Sequence, residues 1–451
     1  MRPRLALSAF VLACAAGFAG PAPAARLAAG PMVGATDMHG TTIWLQTDAP
    51  ARAEIAYWPV GASPADAKRV LANLHAEHDH VAHVRIEGLQ QGTRYQYQVL
   101  VDGQPAGAPL QFRTQTRWQW RGAVEPPSFT AFMGSCHYLN EPARDRDGKP
   151  FGDGFGIYAT MAAKQPDLML WLGDNSYLRE NEWTSAEGIR YRFRADRAQP
   201  ELQPLLRVGQ HAAIWDDHDY GPDDSNSSYE FKQAALDQFK RYWANASWGL
   251  PDTPGIFGSF SFSDADFFLL DNRWYRDADR DQHRKETKRM LGKAQMRWLK
   301  NALLQSTAPI KVIAGGSQFL ANQRGRAEGW SQFPAERQDF LDWLAANKVD
   351  GVLFVSGDKH FTELTKLDRP GTYPLYDLTC SPVTAGAFSG GPDANRPDRV
   401  PGTMVAQRNF CSLAVEGTRN QRVITLKSFD VEGRELWTQR LPLQSLKTPA
   451  P

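Results

Sequence analysis

Residues 168–177 read LMLWLGDNSY, a short apolar run that passes directly into a glycine, an aspartate and, three residues later, a tyrosine. The same order recurs at four other places, each an apolar run followed by side chains that commonly bind metals or catalyse reactions: residues 129–137 (FTAFMGSCH), 212–221 (AAIWDDHDYG), 310–318 (IKVIAGGSQ) and 351–360 (GVLFVSGDKH). In open α/β sheets, ligands bind where the carboxyl ends of the strands meet. The five runs therefore predict strands whose ends form one site.

Longer amphipathic stretches separate these runs, an alternation that is typical of an α/β domain. Further strands are predicted at residues 267–270 and 423–429, and helices at residues 156–164, 229–244, 292–304 and 335–347. We assign residues 128–445 to this domain and expect central β-sheets flanked by helices. The predicted fold class is α/β.

Residues 30–115 have a different pattern, with short β-rich runs between turn residues. The runs at residues 41–47, 53–57, 83–86 and 93–99 alternate in hydropathy or are rich in β-branched side chains. Residues 88–97 (GLQQGTRYQY) resemble the turn and strand near the end of fibronectin-type-III-like domains, where a leucine packs under the turn and tyrosines anchor the last strands. A fibronectin-III-like β-sandwich is therefore predicted to precede the α/β domain.

Residues 1–25 are predicted to be a secretory signal peptide. Arg2 and Arg4 precede a mostly apolar run at residues 5–18, and residues 22–24 (APA) form a small-residue cleavage site. No later run reaches the roughly 18 apolar residues that a membrane span requires. We expect a periplasmic or secreted protein without an integral membrane segment.

Charge and cysteine content narrow the function classes further. The 51 Lys and Arg residues balance 50 Asp and Glu residues, so bulk attraction to nucleic acid is not expected, and we predict a monomer that acts on small molecules.

Once Cys14 leaves with the leader, Cys136, Cys380 and Cys411 remain in an oxidising compartment. A Cys380–Cys411 disulfide and two separate buried thiols are both compatible with the sequence, and Cys136 is left over.

The acidic motif at residues 216–219 (DDHD) requires a positive charge nearby to compensate its carboxylates. Three carboxylates this close to a buried strand raise one another's pKa and cannot all ionise without a cation. A bound metal would supply that charge. The alternative is a solvated acidic loop, which the four other strand-end motifs disfavour.

Four motifs in this order resemble those of the PhoD-like (alkaline phosphatase D) family, a branch of the calcineurin-like metallophosphoesterases: Ser135-Cys136, Gly173-Asp174-x-x-Tyr177, Trp215-Asp216-Asp217-His218-Asp219 and Ser356-Gly357-Asp358-x-His360. The N-terminal sandwich resembles that family's N-terminal domain. The resemblance covers nearly the whole chain after the leader. It implies a hydrolase of phosphoric ester bonds, an alkaline phosphatase or phosphodiesterase, in which a metal-activated hydroxide attacks the ester at a dinuclear site of Fe³⁺ and Ca²⁺.

The resemblance also implies the metal ligands. Comparison with the wider superfamily gives Cys136, Asp174, Tyr177 and His360 around the first metal, where thiolate, phenolate and carboxylate would offset a trivalent iron; Zn²⁺ is the alternative. The second metal would be held by oxygen from Asp174, as the bridge, Asp217 and Asp358, which favours Ca²⁺ before Mg²⁺ or Mn²⁺. Whether Asp223, Asn226 or Gln318 adds a ligand stays open. Related sequences often have asparagine where this chain has Asp223.

His218, Asp174 and Arg273 are the predicted catalytic residues. His218 can donate a proton to the leaving oxygen, and Arg273 is a candidate phosphate clamp because its guanidinium can pair with two oxygens. For Arg273, an ordinary surface charge is the equally weighted alternative. The competing functions are phosphodiesterase or phospholipase D-type activity on the same site, and a non-catalytic surface-binding protein.

Overall fold

The computed structural model describes residues 24–119, 121–281, 283–322, 328–388 and 396–449. The signal peptide predicted for residues 1–25 lies outside these ranges except for its last two positions. Within the described ranges, no helix combines the length and the apolar character that a bilayer crossing requires.

The largest sheet has nine strands, and its centre carries the strands before the first three polar motifs. From one edge to the other they are β20 (Glu435–Pro442), β19 (Val423–Asp430), β18 (Asn409–Glu416), β9 (Phe129–Gly134), β10 (Leu168–Leu172), β11 (Gln210–Ile214), β1 (Leu27–Thr36), β2 (Gly40–Thr47) and β5 (Val81–Glu87). Strands β9, β10 and β11 are parallel, whereas β18, β19 and β20 form an antiparallel meander on the outer side of β9. The carboxyl ends of the three parallel strands therefore lie side by side.

A second sheet of six strands faces the first. Its order is β12 (Gly258–Phe262), β13 (Ala265–Leu269), β14 (Ile310–Gly315), β15 (Val352–Ser356), β17 (Leu375–Thr379) and β16 (Glu363–Leu367). The four middle strands are parallel, and the two outer ones run antiparallel to their neighbours. Apolar side chains of both sheets share one core, and the Phe129 ring of the first sheet lies 5.1 Å from that of Phe262 in the second.

Among the residues that the structure describes, seven helices flank or connect these strands: α1 (Gly156–Ala163), α2 (Ala186–Arg197), α3 (Gln203–Leu206), α4 (Asp217–Tyr220), α5 (Lys232–Tyr242), α6 (Gly292–Gln305) and α7 (Pro334–Ala346). With a helix on one face and the opposite sheet on the other, β10, β11 and β15 are buried throughout. A strand that is covered on both faces has a continuous run of apolar residues in its sequence. This is why they were recognisable in the sequence.

The N-terminal sandwich packs a five-stranded sheet against β1, β2 and β5. The five strands are β3 (Ala51–Pro59), β4 (Lys68–Leu74), β6 (Arg94–Val101), β7 (Gln104–Pro105) and β8 (Leu110–Arg113). Leu89 is buried under the turn before β6, and the Tyr95 hydroxyl accepts a hydrogen bond from the Gln90 amide at 2.9 Å. The leucine and one of the tyrosines thus have the roles that the sequence predicted for them.

One layer of the sandwich belongs to the nine-stranded sheet. Val33 of β1 pairs in parallel with Gln210 of β11, and the Ala35 amide donates to the Ala244 carbonyl at 2.8 Å. A Cβ on Gly34 would come within 2.3 Å of the Ala244 Cβ, so only glycine permits this approach. The sheet is therefore continuous from the sandwich into the α/β part of the chain.

The predicted α/β fold class with an N-terminal sandwich is confirmed, and the predicted strands and helices overlap observed ones. Sequence periodicity missed the helices α2, α3 and α4 and the strands β1, β4, β7, β8, β12, β16, β17, β18 and β20. The buried face of α2 carries Arg192, Asp196 and Arg197, which pair or stack with other buried groups. A helix whose buried face is charged does not produce the apolar repeat on which sequence analysis depends.

Two buried histidines flank Trp171 in the middle of the first sheet. The Trp171 Nε1–H donates to His211 Nδ1 at 3.0 Å, and His211 Nε2 lies 3.0 Å from the Val208 carbonyl oxygen. On the other side, the His137 ring centroid is 4.6 Å from that of Trp171. Burial lowers the pKa of His211 and that of His137 to about 3, so both rings are neutral in the folded protein.

We predict that His211 makes the protein acid-labile. Because its folded pKa is below the unfolded value of about 6.5, the unfolded chain binds the extra proton, and stability is lost as pH falls from about 6.5 towards 3. His211 alone should lower the free energy of unfolding by about 2 kcal/mol between pH 7.5 and pH 5. Urea unfolding midpoints at several pH values should therefore fall less steeply for His211→Gln than for the wild type. The exposed His283→Gln control should keep the wild-type slope; an unchanged slope in His211→Gln would contradict the prediction.

Candidate metal centre

The polar motifs meet where the strand ends of the two facing sheets converge. Cys136, Asp174 and Asp358 each stand two residues after a strand, namely β9, β10 and β15. Two glycines make the convergence possible, because a Cβ on Gly357 would lie 2.6 Å from the Leu172 carbonyl oxygen, and one on Gly316 would lie 2.5 Å from Asp216 Cγ. The side chains that the structure brings together here are Cys136, Asp174, Tyr177, Asp217, His218 and His360, whereas Asp358 approaches Cys136 Sγ through its backbone carbonyl oxygen, at 3.5 Å.

These strand ends share an uncommon backbone conformation. Cys136, Asp174, Asp358 and His360 have φ angles of 59°, 50°, 73° and 54°, in the left-handed region that side chains other than glycine rarely adopt. Such residues cluster at functional sites, where surrounding contacts hold them at a cost of about 1–3 kcal/mol each. Here the contacts include the His137 amide bonded to the Asp174 carbonyl at 2.8 Å. At Cys136, Asp174 and Asp358, this conformation reverses the direction of the backbone two residues after the strand ends.

The first group of candidate ligands forms a chain of close contacts. Asp174 Oδ2 lies 3.5 Å from Cys136 Sγ and 3.3 Å from Tyr177 Oη, and Tyr177 Oη lies 3.2 Å from His360 Nε2. Two ligands held tetrahedrally at typical metal distances are about 3.4 Å apart. The spacing of these neighbouring atoms therefore fits donors that share a metal ion.

His360 is oriented for this role by its other ring nitrogen. Nδ1 lies 2.6 Å from the Gly386 carbonyl oxygen, so it carries the proton and leaves Nε2 facing Tyr177. Metal-binding histidines commonly make such a bond to a backbone carbonyl. The His360 amide is itself fixed by the Ser381 hydroxyl at 2.9 Å.

The protonation states around Cys136 favour a thiolate. Burial alone would raise the pKa of the thiol, but the His360 cation and hydrogen bonds from His360, Ser135 and Ser381 bring that pKa down to about 7. Burial likewise lowers the pKa of His360, but the Cys136 thiolate outweighs it and raises the pKa to about 9. A thiolate is the form of cysteine that binds metals.

Two groups of ligand atoms close enough to hold a cation share Asp217. One joins Asp174, Asp217 and His218, and the other joins Asp216, Asp217 and Glu328. Burial and the nearby Asp217 raise the pKa of Asp174 well above its usual value, and burial also raises the pKa of Asp358. A cation among these carboxylates would offset the unfavourable charge, so the donor set fits a bound metal ion.

The acidic motif divides into two roles. The Asp219 carboxylate accepts hydrogen bonds from the Asn175 and Ser176 amides at 3.0 Å and from the Asp216 amide at 3.1 Å, which fastens α4 to the turn that bears Asp174. Asp216 is paired with Arg273. Thus backbone amides and Arg273 supply part of the compensation that the sequence attributed to a metal.

Arg273 lies within the acidic cluster and is fully buried. Its Nε contacts Asp216 Oδ1 at 2.5 Å, and its other nitrogens pair with Glu328 and donate to the Ser225 carbonyl at 3.1 Å. Burial and these ion pairs argue against the ordinary surface charge considered from the sequence. The predicted clamp role requires Arg273 to exchange one of these partners for a phosphate oxygen.

Glu328 and Lys359 are the charged groups that the sequence did not single out. Glu328 lies well after the end of β14 in the sequence, so no strand-end motif marks it. Lys359 lies inside the Ser356–His360 motif, and its Nζ is 2.7 Å from Asp358 Oδ2. That motif position could have drawn attention to it.

The three residues left open as extra ligands have different surroundings. Gln318 Nε2 donates to Glu363 and to Thr379, both at 2.7 Å, and Asn226 Oδ1 accepts from the Ser228 amide and hydroxyl at 3.1 and 2.9 Å. The exposed Asp223 carboxylate lies 3.6 Å from His218 Nε2. Of the three, Asp223 is therefore the one beside a predicted catalytic residue.

His218 stands between the cluster and an open pocket of about 570 Å³. Its ring stacks on Tyr177 with centroids 4.2 Å apart, and both side chains line the pocket together with His360. The volume lies within the range of pockets that hold small organic ligands. A substrate in this pocket would therefore reach the candidate ligands directly.

The remaining cysteines form a disulfide. Cys380 and Cys411 are bonded, with Cα atoms 6.1 Å apart, and Cys136 is a free buried thiol. This decides between the two alternatives that the sequence left open.

Comparisons with known proteins identify relatives of the chain and structures with a similar fold. Alkaline phosphatase D of Bacillus subtilis (strain 168) is 24% identical over 356 residues, which are 69% of this chain and 58% of that protein, so the match spans less than two thirds of the relative's length. Among solved structures, one titled Structure of PhoD has a TM-score of 0.76 at 16% identity, covering 93% of this chain and 94% of its own. A purple acid phosphatase from yellow lupin (Lupinus luteus) seeds has a TM-score of 0.66 at 11% identity, covering 91% and 74%. At these identities the two structures show a common fold.

Two family models match the chain. Residues 24–117 match a model described as a domain of unknown function (DUF7800), and residues 133–432 match the model described as PhoD-like phosphatase. The second match covers more than half of the chain and contains all the candidate ligands described above. The chain therefore belongs to the PhoD-like phosphatase family.

Proposed function

We propose that this protein is a metal-dependent phosphatase that hydrolyses phosphate esters at a dinuclear site. The observation that carries the proposal is the position of Asp174 between two sets of donors. Its Oδ2 contacts Cys136 and Tyr177, while Oδ1 lies 3.4 Å from the His218 amide, on the side of Asp217 and His218. One carboxylate could thus bridge two cations.

The donor types support different metals on the two sides of Asp174. Thiolate, phenolate and carboxylate from Cys136, Tyr177 and Asp174, with neutral His360, would offset the charge of Fe³⁺; Zn²⁺ is the alternative. On the other side, Asp217 and Asp358 offer oxygen, which suits Ca²⁺ before Mg²⁺ or Mn²⁺. When bound, two such cations activate a water molecule and neutralise charge on the phosphoryl oxygens.

His218 is the proposed proton donor to the leaving oxygen. Its Nε2 lies 3.6 Å from Asp223, and its Nδ1 is buried with no hydrogen-bond partner among the described residues. Stacking on Tyr177 keeps the ring at the pocket wall. Arg273 would hold Asp216 and Glu328 in place and is the candidate that could move onto a phosphate oxygen.

We also propose that the protein acts as a monomer in the periplasm or outside the cell. The buried Cys380–Cys411 disulfide supports an oxidising compartment, and residues 1–25 have the pattern of a secretory leader. Small phosphate esters are the proposed substrates.

Replacing the bridging carboxylate should remove metal and activity together. Asp174→Asn is expected to lower metal affinity at least about 100-fold, because loss of a direct ligand exceeds the 10–100-fold cost of losing a ligand's hydrogen-bond partner. Elemental analysis after dialysis and phosphate release would be measured on the same samples. Asp339→Asn, an exposed change on α7, should retain both properties. Full metal content and full activity in Asp174→Asn would refute the bridging assignment.

A ferric site with Tyr177 as ligand should be coloured. We expect a visible phenolate-to-iron charge-transfer band in the iron-loaded protein, and its loss in Tyr177→Phe because the phenolate is the electron donor. Tyr138→Phe is a matched control, since the Tyr138 ring lies 4.9 Å from that of Tyr177 and its hydroxyl donates to Asp145. An active, colourless and iron-free wild type would remove iron from the proposal while leaving the phosphatase function intact.

Loss of His218 should depend on the leaving group. His218→Gln is expected to lower kcat about 10²–10⁴-fold for alkyl phosphates, whose leaving oxygen needs a proton, and much less for nitrophenyl phosphates. Initial rates on a monoester, a diester and a phospholipid would be compared with the wild type under identical metal loading. Equal losses for alkyl and nitrophenyl esters would contradict proton donation. Failure of the loaded wild type to hydrolyse any of these esters would favour a non-catalytic surface-binding protein.

A further inference from the structure

A row of aromatic rings leads from the metal centre to the mouth of the pocket. The Tyr177 ring, which stacks on His218, lies 4.9 Å from that of Tyr138, and the Tyr138 ring lies 5.3 Å from that of Phe151. All four side chains line the same cavity. The space next to the leaving oxygen is thus bounded on one side by aromatic rings.

Phe151 is exposed although it is firmly held. The residue is 40% exposed, and within the described part of the chain only Phe388 is another strongly exposed aromatic residue. The adjacent Gly152 is bonded in both directions to the Asn140 side chain, through its amide at 2.9 Å and its carbonyl at 2.5 Å. A Cβ on Gly152 would lie 2.1 Å from the Tyr138 carbonyl oxygen. The backbone beside Phe151 is therefore fixed before any ligand arrives, which lowers the entropic cost of binding.

The mouth of the pocket also carries positive charge. Arg146, Lys149 and Arg408 line it. Arg146 is paired with Glu180, and Arg408 lies 3.7 Å from Asp153. Lys149 makes no ion pair within the described ranges, so its charge is available to attract an anionic ester.

The pocket is larger than a phosphate group alone would fill. A cavity of about 570 Å³ that begins at His218 leaves most of its volume for the organic part of the ester. Aromatic rings bind other planar rings in offset or edge-to-face arrangements that a sugar or a short alkyl chain cannot form. The aromatic wall thus favours one class of leaving group.

We propose that this pocket is a subsite for a planar aromatic leaving group, with Phe151 as its specificity-determining residue. The inference rests on the proposed phosphatase function and names its preferred substrates as phosphate esters whose alcohol carries a planar ring, such as a nucleobase. The ring packs against Phe151 and Tyr138 while His218 stands at the leaving oxygen. Two sources of such a ring, a nucleoside and a simple aryl alcohol, share this chemistry.

Adenosine 5′-phosphate and ribose 5-phosphate provide the test, because they release the same kind of primary alcohol and differ in the base. The metal-loaded wild type should hydrolyse the nucleotide with a kcat/KM at least about fivefold higher than that for ribose 5-phosphate, since stacking of one base on an aromatic side chain is worth about 5- to 150-fold. Benzyl phosphate against cyclohexylmethyl phosphate, which both release a primary alcohol and differ in the planarity of the ring, forms the second arm. A preference in both arms identifies the planar ring, and a preference in the nucleotide arm alone identifies a nucleobase subsite.

The variants separate stacking from general apolar contact. Phe151→Ala and Phe151→Leu should both lose most of the nucleotide preference and leave ribose 5-phosphate turnover nearly unchanged, whereas Phe151→Trp should keep the preference. Leu304→Ala, another exposed apolar side chain on α6, should behave as the wild type. Equal kcat/KM for the two esters in the wild type, or equal losses for both in Phe151→Ala, would overturn the subsite and leave the phosphatase proposal standing.

If neither ester is hydrolysed, the proposed function fails first, and binding decides the inference separately. Calorimetric titration of the metal-loaded protein with each ester should then still show tighter binding of the nucleotide, and weaker nucleotide binding in Phe151→Ala. Equal affinities would overturn the subsite.

Discussion

Buried negative charge is the constraint around which this protein is built. Six carboxylates lie almost out of reach of water within one region: Asp174, Asp216, Asp217, Asp219, Asp358 and Glu328. An ionised carboxylate without a partner is very costly in such surroundings. Part of this negative charge is compensated within the protein. Backbone amides donate to Asp219, the guanidinium of Arg273 pairs with Asp216 and Glu328, and the ammonium of Lys359 pairs with Asp358. Asp217 accepts the Asp224 amide at 2.8 Å and lies 3.6 Å from Arg273, so Asp174 keeps the largest uncompensated share and is the residue that most needs a metal.

The residues with positive φ angles determine where these side chains are placed. A side chain that continued along its strand would point away from the space between the sheets. A reversal directly after the strand instead brings the next side chain into that space, as at Cys136, Asp174 and Asp358. Aspartate tolerates this conformation better than most residues, whereas cysteine does not. The strain at Cys136 suggests that the sulfur is needed at that position for its chemistry.

Much of the site could be predicted because its signals are local. An apolar run followed by Gly-Asp or Ser-Cys is a feature of a few neighbouring residues, and a strand buried on both faces keeps that run unbroken. The contribution of Glu328 could not be predicted, since it lies well after the end of β14 and outside any strand-end motif. The ion pairs of Arg273 were equally hidden, because they join residues more than 50 positions apart in the sequence. The metal identities depend on charge balance among all these groups, so sequence alone offers them as alternatives.

The continuous sheet has a consequence for the N-terminal sandwich. Strand β1 pairs with β11 at Gln210, on the side where β11 would otherwise form an open edge of the sheet. Bare edges of this kind recruit strands from other chains and promote aggregation. The sandwich thus protects the catalytic half from self-association as well as adding a surface of its own. A chain trimmed to its phosphatase part would begin with that edge exposed.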